Sequence, residues 1–353
     1  MTSSPTSSRR WNSPDRPMLR ASVLIPTHEH AATLPFAVAS VQAQCSDDME
    51  ILIVGDGVND ALRAVVKRLQ AEDSRIRFFD FPKGPRNGEI HRDVVLRQAR
   101  GHVVYYQCDD DLWLPGHLQD LEQALEAADF AGSMHADVSP EGRVRGYFFD
   151  LERPEFRKPW LAWEQNRHGE WASDGFGLAF AAHRLDAYLR LPEGWSTTPA
   201  GYPTDQTMFM KFVREPWCRT RVLPWPVSLH FPKDERRGWT DRQRTDEQSR
   251  WMKMLASHNG GEQTLREVFR SLGDNLLRQS MADAAARQGE HAALKAIEAE
   301  RDVLRVARDT LTAERAALSA ALDALHESTS WHVTAPMRAI VDMFRRHKSL
   351  RDI

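Results

Sequence analysis

The segment "YYQCDDDLWLP" (Tyr105–Pro115) sets three carboxylates, Asp109, Asp110 and Asp111, directly after an apolar run. The run "HVVYYQC" reads as a buried strand. Adjacent carboxylates repel one another, so their place at a strand end calls for a cause. Two readings fit the residues alone. In one the cluster is a solvated turn, with Asp111 capping the helix after Pro115. In the other the carboxylates hold a divalent cation such as Mg²⁺ or Mn²⁺, whose charge offsets their repulsion and which also takes phosphate oxygens. The second is favoured if the strand belongs to an α/β sheet, because ligands of such sheets sit at the carboxyl ends of the strands.

The preceding sequence predicts that sheet. "ASVLIPTHEH" (21–30) carries the short run Val23–Leu24–Ile25 stopped by Pro26, as in a buried parallel strand. "TLPFAVASVQAQ" has helical spacing, with Thr33 as N-cap and Pro35 in the first turn. "MEILIVGDG" is a second buried strand, ending in a Gly-flanked Asp56. "NDALRAVVKRLQA" is a helix capped by Asn59 or Asp60, "IRFFDFP" a third strand, and "GEIHRDVVLRQARG" a helix closed by Gly101 as a C′ glycine. Strand–helix alternation predicts a doubly wound, mainly parallel α/β sheet. It also brings His28, Asp56 and Asp109–Asp111 to one edge.

The chain has 353 residues and a formal net charge of -3, which fits two domains, or one large domain with an appendage. That charge argues against nucleic acid as the main partner. The three cysteines, Cys45, Cys108 and Cys218, lie far apart and form no C-x-x-C pair, which indicates neither a zinc site nor a disulfide framework and fits a cytoplasmic setting. No apolar run is long enough to span a bilayer. Residues 1–18, rich in Ser and Pro, read as a disordered tail. Residues 19–133 form the first half of an α/β domain and 134–250 a less regular half rich in Pro, Gly and Trp. A helical connector covers 251–280. In 281–326, Ile297, Leu304, Leu311, Leu318 and Leu325 recur at heptad spacing. The companion seam, Leu294, Arg301, Arg308, Arg315 and Leu322, is poor, so a single long helix competes with a coiled coil. The coiled coil is favoured because a lone stripe needs something to bury it, and it predicts a homodimer. In the last segment, 327–353, Met337, Ile340, Val341 and Phe344 make one apolar face. Arg338, Arg345, Arg346, His347 and Lys348 make a basic one. Residues 336–348 therefore read as a peripheral membrane or partner-docking helix.

Three blocks, "VLIPTHEHAATLPFAVASVQAQ", "MEILIVGDGVND" and "HRDVVLRQARGHVVYYQCDDDLWLPGHL", resemble successive elements of glycosyltransferase family 2, with its GT-A fold. The resemblance is good from Ser22 to about Gln123 and looser to about Trp239; the order of the blocks is more specific than any one of them. It implies that Pro26, Thr27 and His28 line a nucleotide pocket. Asp56 matches the base-contacting Asp of the family's D-D-G element, with Gly55 in place of the first Asp. Arg92 matches an Arg near the nucleotide; as a residue it equally fits a surface charge. Asp110 matches the metal-binding Asp of the D-x-D element, and Cys108 stands where its leading Asp often is. Asp109 is then assigned to the donor, and Asp111 with His230 to the metal.

The family's acidic residue at a late helix start falls on Asp205 in "GYPTDQTMFMKF", as general base; a helix cap is the plainer reading. His230 ends an apolar run and is a late metal ligand or a structural histidine. Arg236 and Arg237 form a lid over the diphosphate or a solvated turn. Trp171, Asp174 and Trp195 flank the acceptor side or pack the core. The final segment resembles tails that follow coiled coils in bacterial surface-polysaccharide glycosyltransferases. The resemblance implies a metal-dependent, inverting transferase that moves a sugar from a nucleotide-sugar donor to a saccharide or glycolipid acceptor, using Mn²⁺ or Mg²⁺, at the inner face of the cytoplasmic membrane. A catalytically degenerate sugar-binding scaffold assembled through the coiled coil is the alternative. A nucleotidyltransferase, which would release pyrophosphate, is a remoter one.

Overall fold

The computed structural model describes residues 19–147, 151–153, 157, 177–257 and 260–338. The chain divides into two units, Met1–Leu277 and Arg278–Ile353. In the first, strands β1 (Leu19–Thr27), β2 (Met49–Asp56), β3 (Ile76–Phe81) and β4 (Gly101–Tyr106) alternate with helices α1 (Leu34–Gln42), α2 (Asp60–Glu72) and α3 (Glu89–Leu96). The short β5 (Leu112–Trp113), α4 (His117–Glu126), β6 (Phe130–Val138) and β7 (Val144–Tyr147) follow. Then come β8 (Ala181–Arg184), α5 (Leu185–Arg190), α6 (Thr204–Arg214), β9 (Thr220–Pro226), β10 (Ser228–Leu229) and α7 (Asp241–Ala256).

The main sheet runs β3-β2-β1-β4-β8-β6-β7, with β9 parallel to β6. The first four strands are parallel, as the alternation predicts; β8 enters antiparallel to β4 and β6. The sheet is thus mixed and mostly parallel. All eight residues of β2 are buried because helices cover both faces. Side chains alternate between the faces. Leu24, Leu52, Val104 and Tyr106 join Phe209 and Phe212 of α6 in one core, whereas Val23, Ile25, Ile51, Ile53 and Tyr105 join α1, α2 and α4 in another. A two-stranded sheet, β5 with β10, carries a third cluster built on Leu112, Leu229, Phe231 and Trp251.

Two local expectations change. Helix α3 ends at Leu96, and Gly101 opens β4 rather than closing the helix. A Cβ on Gly101 would lie 2.2 Å from the carbonyl carbon of Ala21, so the glycine lets β4 approach β1. Thr33 occupies the N-cap of α1 without a side-chain cap bond, Pro35 standing near the start; Asn59 does cap α2, accepting from the Leu62 N–H at 2.9 Å.

In the second unit a single helix, α8 (Gly260–Glu327), which begins in the first, continues and is followed by the one-turn α9 (Thr329–Val333). The stripe Ile297, Leu304, Leu311, Leu318 and Leu325 is 50–72% exposed. Residues 339–353, with most of the expected basic tail, lie outside the described residues, as do Trp171 and Asp174. Among the described residues no helix is long and apolar enough to cross a membrane.

Gly101→Ala must push two paired backbones apart, and it should cost roughly 2 kcal/mol or more in urea unfolding. Gly142→Ala, at φ +80 with nothing within 4 Å of its Cβ, should cost only about 1 kcal/mol of backbone strain. Equal losses in the two variants would show that the β1–β4 approach is not tight.

Candidate active site

The carboxyl ends of β1, β2 and β4 open into a cavity of about 740 Å³. It is lined by Pro26, Thr27 and His28 from β1, by Asp56 from β2, by Arg92 from α3, by Asp109 and Asp110, and by Asp205 from α6. Eight of the expected site residues therefore meet in one place. Asp111 and His230 are not among the lining residues.

The three adjacent carboxylates divide their work. Their turn is held through its main chain: Gln107 donates to the Asp111 carbonyl (2.9 Å) and Gln248 of α7 to the Asp110 carbonyl (2.7 Å). Asp111, 1% exposed, accepts from the Phe231 N–H (3.0 Å) and so ties the turn to the end of β10; it caps no helix. Asp109 takes His30 Nδ1 at 2.8 Å, and that bond raises the His30 pKa to about 9. Burial, with Asp111 and Asp109 beside it, pushes the Asp110 carboxyl up to about 7. Cys108, also on the cavity wall, is driven well above the usual thiol range by burial and then by Asp111 and Asp110, so it is a neutral thiol and not a nucleophile.

Among the described residues two groups have donors spaced for a cation: His30 with Asp109 and Asp110, and His135 with Asp137 and His230, the donor atoms of each lying within 4.8 Å of one another. The first group faces the cavity. Two carboxylates and an imidazole suit Mn²⁺ or Mg²⁺, the imidazole favouring Mn²⁺, and a cation would relieve the repulsion that raises Asp110. His30 was not expected; its signal in the sequence was its place two residues beyond His28, just past β1.

At the other end of the cavity Asp56 accepts from Lys83 Nζ (2.5 Å) and from the Gly84 N–H (2.6 Å). A Cβ on Gly88 would lie 2.3 Å from the Asp56 carboxyl carbon, and Gly88 sits at φ +63, so only glycine closes the loop against this carboxylate. Gly55 is likewise a packing choice, since a side chain there would meet Phe78 at 3.0 Å. Lys83, Arg86 and Lys233 add cationic walls that the sequence did not flag.

Arg92 is buried, with its guanidinium 4.5 Å over the ring of Trp195 and Nη1 3.6 Å from Asp205 Oδ1. Its Nε and Nη1 make no hydrogen bond. An arginine cannot shed its charge, so these buried donors suit an anion in the cavity. Trp195 itself is buried as the platform under Arg92. Asp205 accepts from the Leu178 N–H (3.1 Å), and burial raises its pKa against the pull of Arg92 and that N–H. The N-cap of α6 is Pro203, so Asp205 is not the cap. Arg236 forms no lid: it is buried in a two-bond pair with Glu247 (2.6 and 2.7 Å), while Arg237 is exposed and pairs with Asp234.

The model of glycosyl transferase family 2 matches residues 22–181, the span from within β1 to the start of β8 that includes the acidic turn. Residues 22–181, less than half of the chain, are similar to glycosyltransferase family 2. The mostly parallel sheet, with the expected site residues at its carboxyl edge, agrees with the fold that the sequence resemblance implied. The chain is similar to the GalNAc(5)-diNAcBac-PP-undecaprenol beta-1,3-glucosyltransferase of Campylobacter jejuni, at 37% identity over 109 residues, 30% of this chain and 34% of that one. It is 27% identical over 100 residues to the UDP-Glc:alpha-D-GlcNAc-diphosphoundecaprenol beta-1,3-glucosyltransferase WfgD of Escherichia coli, 28% of this chain and 38% of that one. The chain thus spans about a third of the length of the curated relatives it matches. Among solved structures, S. aureus TarS (1-349) superposes with a TM-score of 0.47 at 17% identity over 71% of each chain, too loose a likeness to carry weight.

Asp110→Asn tests the acidic turn. A carboxyl raised from 3.8 to about 7 stabilises the fold below pH 4 and loses that contribution as pH rises through 7. At pH 8 with chelator the variant should therefore be more stable than the parent, by about 1 kcal/mol or more. Added Mn²⁺ should raise the melting temperature of the parent and not of the variant. A variant that is destabilised without metal, or still stabilised by Mn²⁺, would contradict the assignment.

Proposed function

We propose that this protein is a cation-dependent, inverting glycosyltransferase that moves a sugar from a nucleoside diphosphate to a hydroxyl of a saccharide or lipid-linked saccharide acceptor. The observation that carries the reading is the convergence in one cavity of Asp56, the Asp109–Asp110 turn, the Arg92 guanidinium and the buried Asp205. The family match and the glucosyltransferase relatives, whose names specify diphosphoundecaprenol-linked acceptors, support the donor and acceptor classes.

Asp56 with Lys83 receives the nucleobase end, between Pro26–His28 and the loop before α3. Asp109, Asp110 and His30 would hold the cation, while Asp111 is tied to the Phe231 N–H and His230 to Asp137. A bound Mn²⁺ or Mg²⁺ neutralises the charge that builds on the departing diphosphate. Arg92, on the cavity wall, adds a positive charge beside the same anion. Asp205 accepts the acceptor hydroxyl's proton as that oxygen attacks the anomeric carbon from the face opposite the diphosphate. Burial raises the Asp205 pKa and so its basicity, while the Leu178 N–H fixes its orientation.

The exposed stripe of α8 joins a second copy of this chain in a coiled-coil homodimer. Arg301, Arg308 and Arg315 weaken that seam, and Glu300 and Glu314 offset them in part. Residues 336–348 provide a peripheral contact with the anionic inner face of the membrane, close to lipid-linked acceptors.

Asp205→Asn keeps the size of the side chain and its bond from Leu178 but takes no proton. Transfer should fall by roughly a hundredfold or more, with binding of the nucleoside diphosphate unchanged. Equal loss of both would make Asp205 structural. Nucleoside diphosphate, and not pyrophosphate, should accumulate in a Mn²⁺-dependent manner. Ending the chain at Leu277, the boundary between the two units, should give a monomer by light scattering that still releases nucleoside diphosphate. A truncated dimer would remove the coiled-coil reading and leave the catalytic one intact.

A further inference from the structure

We propose that Thr204 is a positioning residue for Asp205: its hydroxyl ties the start of α6 to the loop that holds Asp56, and so fixes the base relative to the donor. This rests on the reading of Asp205 as the base.

The sequence leaves the start of α6 without a cap. Its N-cap is Pro203, whose side chain has no oxygen to offer, and no side-chain cap bond is made. The first N–H groups of a helix have no partner within it, so an uncapped first turn is the part that frays. Asp205 stands on that turn. The Leu178 N–H and Arg92 hold its carboxylate, but not the backbone that carries it. The Thr207 hydroxyl donates to the Pro203 carbonyl at 2.7 Å, which is a bond within the same turn. A fixed turn therefore needs a tie to another part of the fold.

Thr204 makes that tie. Asn87 Nδ2 donates to Thr204 Oγ1 at 2.7 Å, and Thr204 Oγ1 donates to Glu89 Oε1 at 3.3 Å. A hydroxyl accepts and donates at once, which is what this place between an amide and a carboxyl group requires. Glu89 is the first residue of α3 and is fully buried, and its other oxygen accepts from the Asn87 N–H at 3.2 Å. One carboxyl group thus gathers both Asn87 and Thr204. One turn along α3, Arg92 meets Asp205 at 3.6 Å. The two helix starts are therefore matched at two points, Glu89 with Thr204 and Arg92 with Asp205.

The tie reaches the donor end. Asn87 follows Lys83 and Gly84, which hold Asp56, and Lys83 Nζ also donates to the Arg86 carbonyl at 2.7 Å. Arg86 Nη2 donates to the Tyr202 carbonyl at 3.1 Å, a second link to the segment before α6. Arg86 stands at φ +55, a left-handed conformation that strains a non-glycine residue, and the bonds on either side of it hold it there. Lys83, Arg86, Asn87, Tyr202, Thr204 and Asp205 all line the cavity, so the donor loop and the turn that carries the base form one bonded wall.

The test uses the full-length protein with Mn²⁺ and the fastest donor among UDP-glucose, UDP-N-acetylglucosamine and GDP-mannose, and reads release of the nucleoside diphosphate. Thr204→Val keeps the shape of the side chain and loses both bonds. Its kcat should fall roughly 10- to 100-fold, with KM for the donor within about twofold of the parent. Thr204→Ser, which keeps the hydroxyl, should restore most of kcat. In an Asp205→Asn background Thr204→Val should cost nothing further, because it acts through a carboxylate that is no longer there. Asn87→Ala, at an exposed site, should lower kcat several-fold in the same direction; it takes the place of Thr204→Val if the latter does not fold by circular dichroism. Parental kcat, a change in KM alone, or the same fold-loss with and without the Asp205 carboxylate overturns the proposal and leaves Asp205 as the base. Parental release in Asp205→Asn overturns the base and the proposal with it. If the parent releases nothing from any of the three donors, the proposed function fails, and amide exchange decides on the tie. Thr204→Val should then speed exchange of the Thr207 N–H, bonded to Pro203, and of the Gly88 N–H, bonded to Pro85, together and several-fold. Unchanged exchange at both overturns the tie.

Discussion

Burial of negative charge at the carboxyl edge of the sheet is the constraint around which the rest is arranged. Asp109, Asp110 and Asp111 follow one another on a turn largely closed to water, and burial beside its neighbours raises the Asp110 carboxyl. Such a turn persists only if its main chain is held from outside and its carboxylates are given partners. The partners come from distant parts of the chain: His30 after β1, Phe231 after β10 and Gln248 on α7. The same convergence defines the cavity.

The parallel half and the irregular half have different tasks. β1, β2 and β4 deliver side chains to one edge because parallel strands all end there, and burial on both faces makes that edge rigid. The irregular half supplies what a sheet edge cannot, namely groups that face it from across the cavity. Asp205 arrives on the first turn of α6, anchored by Phe209 and Phe212 in the core. Residues 177 and 178, at the entry to β8, spend their N–H groups on His135 and Asp205 rather than on the ladder. Arg92 sits on Trp195 beneath Asp205, and so connects the two halves through one cation.

The missing side chain of glycine decides two close approaches at the site, and at Gly88 a left-handed backbone adds to it. At Gly88 the backbone passes so near Asp56 that any side chain would occupy the carboxylate's place. At Gly177 the same holds against His135. Both glycines stand where a backbone must reach a functional group, which a turn-forming role alone does not explain.

The sequence by itself determined the strands, their alternation with helices and the set of residues at the sheet edge. Apolar runs bounded by Pro, Gly and Asp report burial locally, and in a parallel sheet every strand end reaches the same edge. Hence His28, Asp56 and the acidic turn were legible from their places at the ends of β1, β2 and β4, and the family resemblance added Pro26 and Thr27. Gly101 was misread because a glycine between a helix and a strand serves either, and only the 2.2 Å approach of Ala21 distinguishes them. Arg236 was misread because its partner Glu247 lies on the next helix, and nothing in "KDERR" marks which arginine turns inward. His30, the Lys83–Asp56 pair, the Gly177 N–H on His135 and the His230–Asp137 bond were decided by the tertiary structure alone. Each depends on residues that are far apart in sequence, or on which backbone N–H meets which ring nitrogen. Those are properties of packing and register, and no local pattern of residue types encodes them.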